Sequence, residues 1–193
     1  MIAYLSGNFS YKSPALVYVD VHGVGYEVNI TLNTYSEIQH MEKGTLYTFL
    51  QIKEDGHTLY GFSNMAEKAM FLKLIGINGV GAATARIMLS SLKPDDITRA
   101  IIQNNTRLLE SIKGIGKKTA ERIVLELKDK LNKNDPTNLN SSLIYNTLEQ
   151  DALNALLGLG IAKQAAENAV KKVINKEENQ NLEQLIKKAL QSI

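Results

Sequence analysis

The chain of 193 residues contains no cysteine and no tryptophan, and only three prolines. Without cysteine there is neither a disulfide framework nor a thiolate metal site. Histidine is scarce as well: His22, His40 and His57 lie far apart with no His-Glu-x-x-His spacing, so no metal is expected on them. There is no run of about 18 apolar residues and no charged-then-apolar leader, so neither a membrane span nor a secretory signal is indicated and a cytoplasmic protein is the expectation. A nucleotide-binding loop is also missing. Gly116-Lys117-Lys118-Thr119 looks like the end of a P-loop, but Ser111 stands where the first Gly belongs and Lys118 where Ser or Thr must follow the Lys. The stretch from Gly76 to Gly81 is followed by Ala82 and fails too. Neither an ATPase loop nor a catalytic constellation is therefore expected on this chain, and no cofactor.

The charge that is present is unevenly distributed. A formal net charge of +2 conceals 3 basic and 6 acidic residues over positions 1–63, 13 and 7 over 64–133, and 6 and 7 over 134–193. Positive charge thus collects in the middle of the chain, as expected where phosphates are bound.

The same middle segment carries an internal repeat. Leu74 to Leu89 aligned with Leu109 to Val124 gives identities at Leu74/Leu109, Ile77/Ile112, Gly79/Gly114, Gly81/Gly116, Thr84/Thr119 and Ala85/Ala120, six of sixteen positions at an offset of 35. Each copy reads as a glycine hairpin opening a helix, whose first N–H groups lack intrahelical acceptors and suit a phosphate without reading bases. A lone Gly-x-Gly is most simply a turn between helices; duplication in register favours a binding role. Candidate DNA-binding residues are Asn78, Gly79, Val80, Gly81 and Arg86 in the first copy, and Gly114, Ile115, Gly116, Lys117, Lys118 and Arg122 in the second. Because Ala82 and Ala83 replace the lysine pair and only Arg86 is near, the first hairpin is expected to hold phosphate less strongly.

The expected fold class is α+β and multidomain. Over 1–63, β-branched and aromatic runs punctuated by turn residues predict five strands, Ile2 to Leu5, Ala15 to Val21, Gly25 to Ile30, Thr45 to Ile52 and Thr58 to Phe62, in a small OB-like barrel. Ten of the twelve aromatics fall here, and in so acidic a segment they suit a core or subunit interface better than a single-strand stacking platform. Residues 64–133 read as an all-α tandem of helix-hairpin-helix motifs, with Asn64-x-x-Glu67 as a capping box, Pro94-Asp95-Asp96 opening a helix to about Gln103, and Ala120, Ile123, Val124, Leu127 and Leu131 on one helical face. Residues 134–146, rich in Asn with Asp135-Pro136, predict a flexible linker. A three-helix bundle over 147–193 follows, with Thr147-x-x-Gln150 as its first cap, helices of about Lys163 to Ile174 and Leu182 to Leu190, and a turn at Gly158-Leu159-Gly160-Ile161.

This arrangement resembles the RuvA family along essentially the whole chain. The resemblance rests on Met1-Ile2-Ala3-Tyr4-Leu5, on Lys53-Glu54-Asp55-Gly56 followed by Leu59-Tyr60-Gly61-Phe62, on Asn78 to Gly81, and on Gly114-Ile115-Gly116-Lys117-Lys118-Thr119-Ala120-Glu121-Arg122. It implies a homotetramer or octamer that recognises four-way (Holliday) DNA junctions in recombination and repair, holding them open and square-planar. It further implies an acidic pin at Glu54 and Asp55, recruitment of RuvB, a hexameric ATPase motor, by the C-terminal domain, and a junction resolvase of the RuvC type as a further partner. Leu157, Leu159 and Ile161 are candidates for the motor-binding patch or, equally, for core of the bundle. Two rivals remain: a module that tethers partners to ordinary duplex, and a helix-hairpin-helix glycosylase or lyase, for which Lys128-Asp129 lacks a recognisable context.

Overall fold

Short runs of alternating apolar residues, each closed by a tight turn, build a barrel from five strands: β1 (Tyr4–Ser13), β2 (Leu16–Val21), β3 (Val24–Ile30), β4 (Lys43–Lys53) and β5 (Gly56–Phe62). They close in the order β1-β2-β3-β5-β4. Neighbours are antiparallel except β3 and β5, which run parallel with Asn29 opposite Tyr60 and Ile30 opposite Gly61. The β2–β3 turn places His22 and Gly23 at φ 52° and 88°, the left-handed pair that matches strand twist, and the Asp20 carboxylate accepts from the Gly23 N–H at 2.9 Å. Val17, Val19, Val28 and Leu46 fill the interior. Residues 1–54, 56–132, 145–174 and 181–192 are described in this computed structural model.

Two features depart from the sequence reading. Strand β1 continues to Ser13 rather than stopping at Leu5, because Ser6-Gly7-Asn8 pairs with β4 although it has no hydrophobic alternation. Gly7 is required there: a Cβ would lie 2.1 Å from the Asp20 carbonyl oxygen across the sheet. A helix, α1 (Leu32–Ile38), also links β3 to β4. At seven residues it is too short to give a helical period, and only its cap signals it, the Thr31 hydroxyl accepting from the Thr34 N–H at 2.9 Å.

Five helices complete the first unit: α2 (Met65–Ile75), α3 (Ala82–Ser91), α4 (Pro94–Ile102), α5 (Thr106–Glu110) and α6 (Lys117–Asn132). Their core is continuous with the barrel's last strands. The fully buried ring of Phe71 on α2 lies 4.8, 5.3 and 5.6 Å from those of Phe62, Tyr60 and Phe49. These aromatics join barrel to helices, whereas Tyr4, Tyr11 and Tyr18 stay exposed. Ala120, Ile123, Val124 and Leu127 are buried at the spacing expected on α6.

The chain divides into two compact units, Met1–Asn134 and Asp135–Ile193. The second is a bundle of α7 (Tyr145–Gly158), α8 (Lys163–Ile174) and α9 (Leu182–Gln191) around Leu156, Ala166, Val170 and Leu185. Helix α7 begins at Tyr145, so Thr147 lies inside it instead of capping it. The expected linker falls mostly on residues 133–144, which lie outside the described residues.

Candidate nucleic-acid interface

Both repeat copies fold into the same turn. In the first, the Ile77 N–H donates to the Leu74 carbonyl at 3.1 Å and the Val80 N–H to the Ile77 carbonyl at 3.0 Å. In the second, Ile112 donates to Leu109 at 3.2 Å and Ile115 to Ile112 at 3.0 Å. Gly79 and Gly114 have φ of 94° and 93°, a left-handed conformation that costs L-residues about 1–2 kcal/mol. Ile77, Val80, Ile112 and Ile115 are buried and anchor the hairpins in the helical core. The next helix starts alike in each, with Ala85 donating to Gly81 and Ala120 to Gly116, both at 2.9 Å.

Open space lies in front of each turn. A Cβ on Gly81 or Gly116 would meet no heavy atom within 4 Å, and neither residue has positive φ. Internal packing and backbone strain therefore give no reason for glycine at these two positions. The open space leaves room for an external group to approach the backbone closely, where a side chain would hold it away. Gly81 offers no capping side chain to the first turn of α3, so its N–H groups remain for an anion.

The side-chain charges around the two turns differ. Lys117 and Lys118 are exposed and make no hydrogen bond or ion pair with the described residues. Arg86, expected beside the first hairpin, turns to the barrel: its Nη1 donates to Asn29 Oδ1 at 2.6 Å and to the Ala15 carbonyl at 3.3 Å. Arg122 instead crosses between the copies, its Nη1 donating to the Asn78 carbonyl at 3.2 Å.

Comparison with known proteins finds matches along nearly the whole chain. Residues 1–61 match the family described as RuvA N terminal domain, 71–129 the SAM-like helix-hairpin-helix tandem, and 147–193 the RuvA C-terminal domain. A protein of Cytophaga hutchinsonii named Holliday junction branch migration complex subunit RuvA is 42% identical over 196 residues, covering 98% of each chain. Relatives of the same name from Christiangramia forsetii and Bacteroides thetaiotaomicron are 42% and 38% identical over the full length of both chains. The chain belongs to the RuvA family.

Within that RuvA framework, Glu54 is exposed directly after β4, while Asp55 lies outside the described residues. In the C-terminal RuvA bundle the three candidate apolar residues separate. Leu159 is 64% and Leu157 38% exposed, but Ile161 packs against the bundle core. Its N–H donates to the Leu156 carbonyl at 3.1 Å while Gly160, at φ 86°, donates to Leu157 at 3.0 Å. This is a Schellman cap whose apolar contact is Ile161 itself.

One residue that joins the barrel to the helices was read in the sequence only as a cap. The Asn64 side chain accepts from the Glu67 N–H at 2.9 Å as expected, but the Glu67 carboxylate does not return to it. It is 1% exposed and accepts from the hydroxyls of Thr31 and Thr34, the latter at 2.6 Å, while Thr34 Oγ1 accepts from the Ser63 N–H at 3.0 Å. Burial raises its pKa above the ordinary 4.5, with Glu37 adding to the effect and the hydroxyl and Ser63 hydrogen bonds opposing it. A cleft of about 310 Å³ lined by Asn33, Glu37, Lys93 and Asp95 leads to it. Asn33 makes a further tie, donating from Nδ2 to the Leu92 carbonyl at 3.2 Å.

Proposed function

We propose that this chain recognises four-way DNA junctions by shape and charge, holds them open, and recruits a RuvB-like hexameric ATPase for branch migration in recombination and repair. The observation that carries the reading is the pair of matched hairpins whose Gly81 and Gly116 face open space without an internal cause. Two such cradles on one rigid helical unit grip two points of a sugar-phosphate backbone without selecting sequence. Lys117 and Lys118 add charge at the second. The chain itself acts as the non-catalytic subunit, as its lack of a P-loop suggests.

The finer parts belong to the same proposal. The chain works as a homotetramer, or an octamer of two tetramers, with domains over 1–63, 64–133 and 147–193 joined by a linker at 134–146, and it also meets a RuvC-like resolvase. Glu54 and Asp55 form an acidic pin at the crossover. A carboxylate about 4 Å from a phosphate repels it by roughly 4 kcal/mol at an effective dielectric near 20, enough when repeated by symmetry to keep duplex out of the centre. Leu157 and Leu159 meet the motor.

The deciding experiment is a competition titration at fixed salt between an immobile four-way junction and linear duplex of the same sequence and length, without nucleotide. A junction preference of several orders of magnitude is expected. Equal affinities would refute junction recognition and leave a general duplex-binding module.

A further inference from the structure

Arg122 follows the second hairpin in the chain, yet its guanidinium serves the first. Its Nη1 donates to the carbonyl of Asn78, and Glu126, one turn on, holds the Nε side at 3.8 Å. The side chain is half exposed, and Nη2 makes no hydrogen bond with a described residue. A carbonyl oxygen beside an anion cradle carries partial negative charge that opposes a phosphate. A guanidinium on that oxygen cancels the opposition and brings positive charge to the same place, offset in part by Glu126 on its Nε side.

The connection runs one way. At the repeat offset of 35, the counterparts of Arg122 and Asn78 are Ile87 and Lys113, and an isoleucine cannot donate in return. The first hairpin also needs a cation more than the second does. Ala82 and Ala83 stand where the second copy has lysines, and Arg86 is engaged on Asn29.

We infer that Arg122 is the phosphate-facing cation of the first hairpin, lent across the repeat, and that it ties the two cradles into one unit. This rests on the hairpins binding phosphate as proposed above. The first cradle is then not the weaker of the two for want of charge. Its strength depends on a residue 44 positions away from Asn78 in the chain.

The test is a phosphate-neutralisation scan with the full chain. Single methylphosphonates are placed along the arms of an immobile four-way junction, and affinity is measured at fixed salt. Each contacted phosphate should cost the wild-type protein about tenfold when neutralised. Ala83→Glu, on an exposed helix position, marks the phosphates of the first hairpin, and Lys117→Ala with Lys118→Ala marks those of the second. Arg122→Ala is expected to reduce severalfold the sensitivity of the set marked by Ala83→Glu and leave the other at its wild-type value. Arg122→Lys, which keeps a positive charge at this position, should retain much of that set's sensitivity, a rescue that guards against a merely structural effect. Silencing of the lysine-marked set, or wild-type sensitivity of the first set retained in Arg122→Ala, would overturn the assignment. A wild-type scan with no sensitive phosphate would instead refute the hairpin reading itself, and this inference with it.

Discussion

Replacing Glu67 with Gln should reduce the pH dependence of the first unit's stability. The folded-state pKa of Glu67 is raised above 4.5, so between that value and the raised one the folded protein holds a proton that the unfolded chain releases. The stabilisation is fully present below pH 4.5 and is lost as pH rises through the folded pKa. Gln imitates the protonated acid, with one acceptor oxygen and one donor group, and does not ionise. Wild type and Glu67→Gln should therefore be close at pH 4.5, and their difference should move in favour of Gln as pH rises. Glu67→Ala removes the acceptor for two buried threonine hydroxyls. At about 1–3 kcal/mol for each unsatisfied donor, the loss is about 2–6 kcal/mol. Urea unfolding followed by tyrosine near-ultraviolet circular dichroism reads the correct unit, since seven of the eight tyrosines lie within residues 1–63. With a urea slope of about 1–3 kcal/mol per molar, each kcal/mol moves the midpoint by about 0.3–1 M. Other titrating groups are common to wild type and variant and cancel in the difference. A Gln-minus-wild-type difference that stays constant from pH 4.5 to 8, or moves in favour of Glu, would refute the buried-carboxyl account.

Three further outcomes are expected. Lys117→Ala with Lys118→Ala should weaken junction binding alike for all sequences and reduce the log–log salt slope by about 1.8, at about 0.9 for each phosphate contact; an unchanged slope removes both residues from the interface. Glu54→Gln with Asp55→Asn should leave junction affinity unchanged or tighter while altering strand opening at the crossover, measured by base-analogue fluorescence there; a clear loss of affinity contradicts the pin. Leu159→Asp should abolish recruitment of the motor with little change in thermal unfolding. Ile161→Ala should instead destabilise the bundle, by about 1–3 kcal/mol, because Ile161 completes the Schellman cap; unfolding of both variants followed by the helical signal separates the two roles.

Elements with a strong local signature were legible before any coordinates. The turn at His22-Gly23, the Asn64 cap, the proline-led start of α4 and the buried face of α6 each depend on residues within a few positions of one another. The glycine hairpins were legible for the same reason, and twice over, because the repeat restates them. The continuation of β1 through Ser6-Gly7-Asn8 and helix α1 were not, since the first is held by pairing to β4 and packing under Asp20 and the second is shorter than two helical turns.

Sequence by itself determined the architecture and the residues on offer: a barrel, a duplicated glycine turn, a segregated basic segment and the RuvA family resemblance. These follow from periodicity, turn conformation and composition, which act over short distances along the chain. Tertiary structure alone decided the partners of the long polar side chains. Arg86 and Arg122 both follow a hairpin closely in sequence, yet one is engaged on Asn29 of the barrel and the other reaches Asn78 of the opposite copy. Glu67 reads as a capping residue and instead joins α1 to α2. A flexible charged side chain spans several ångströms, and its partner is whichever group the packed fold brings within that reach.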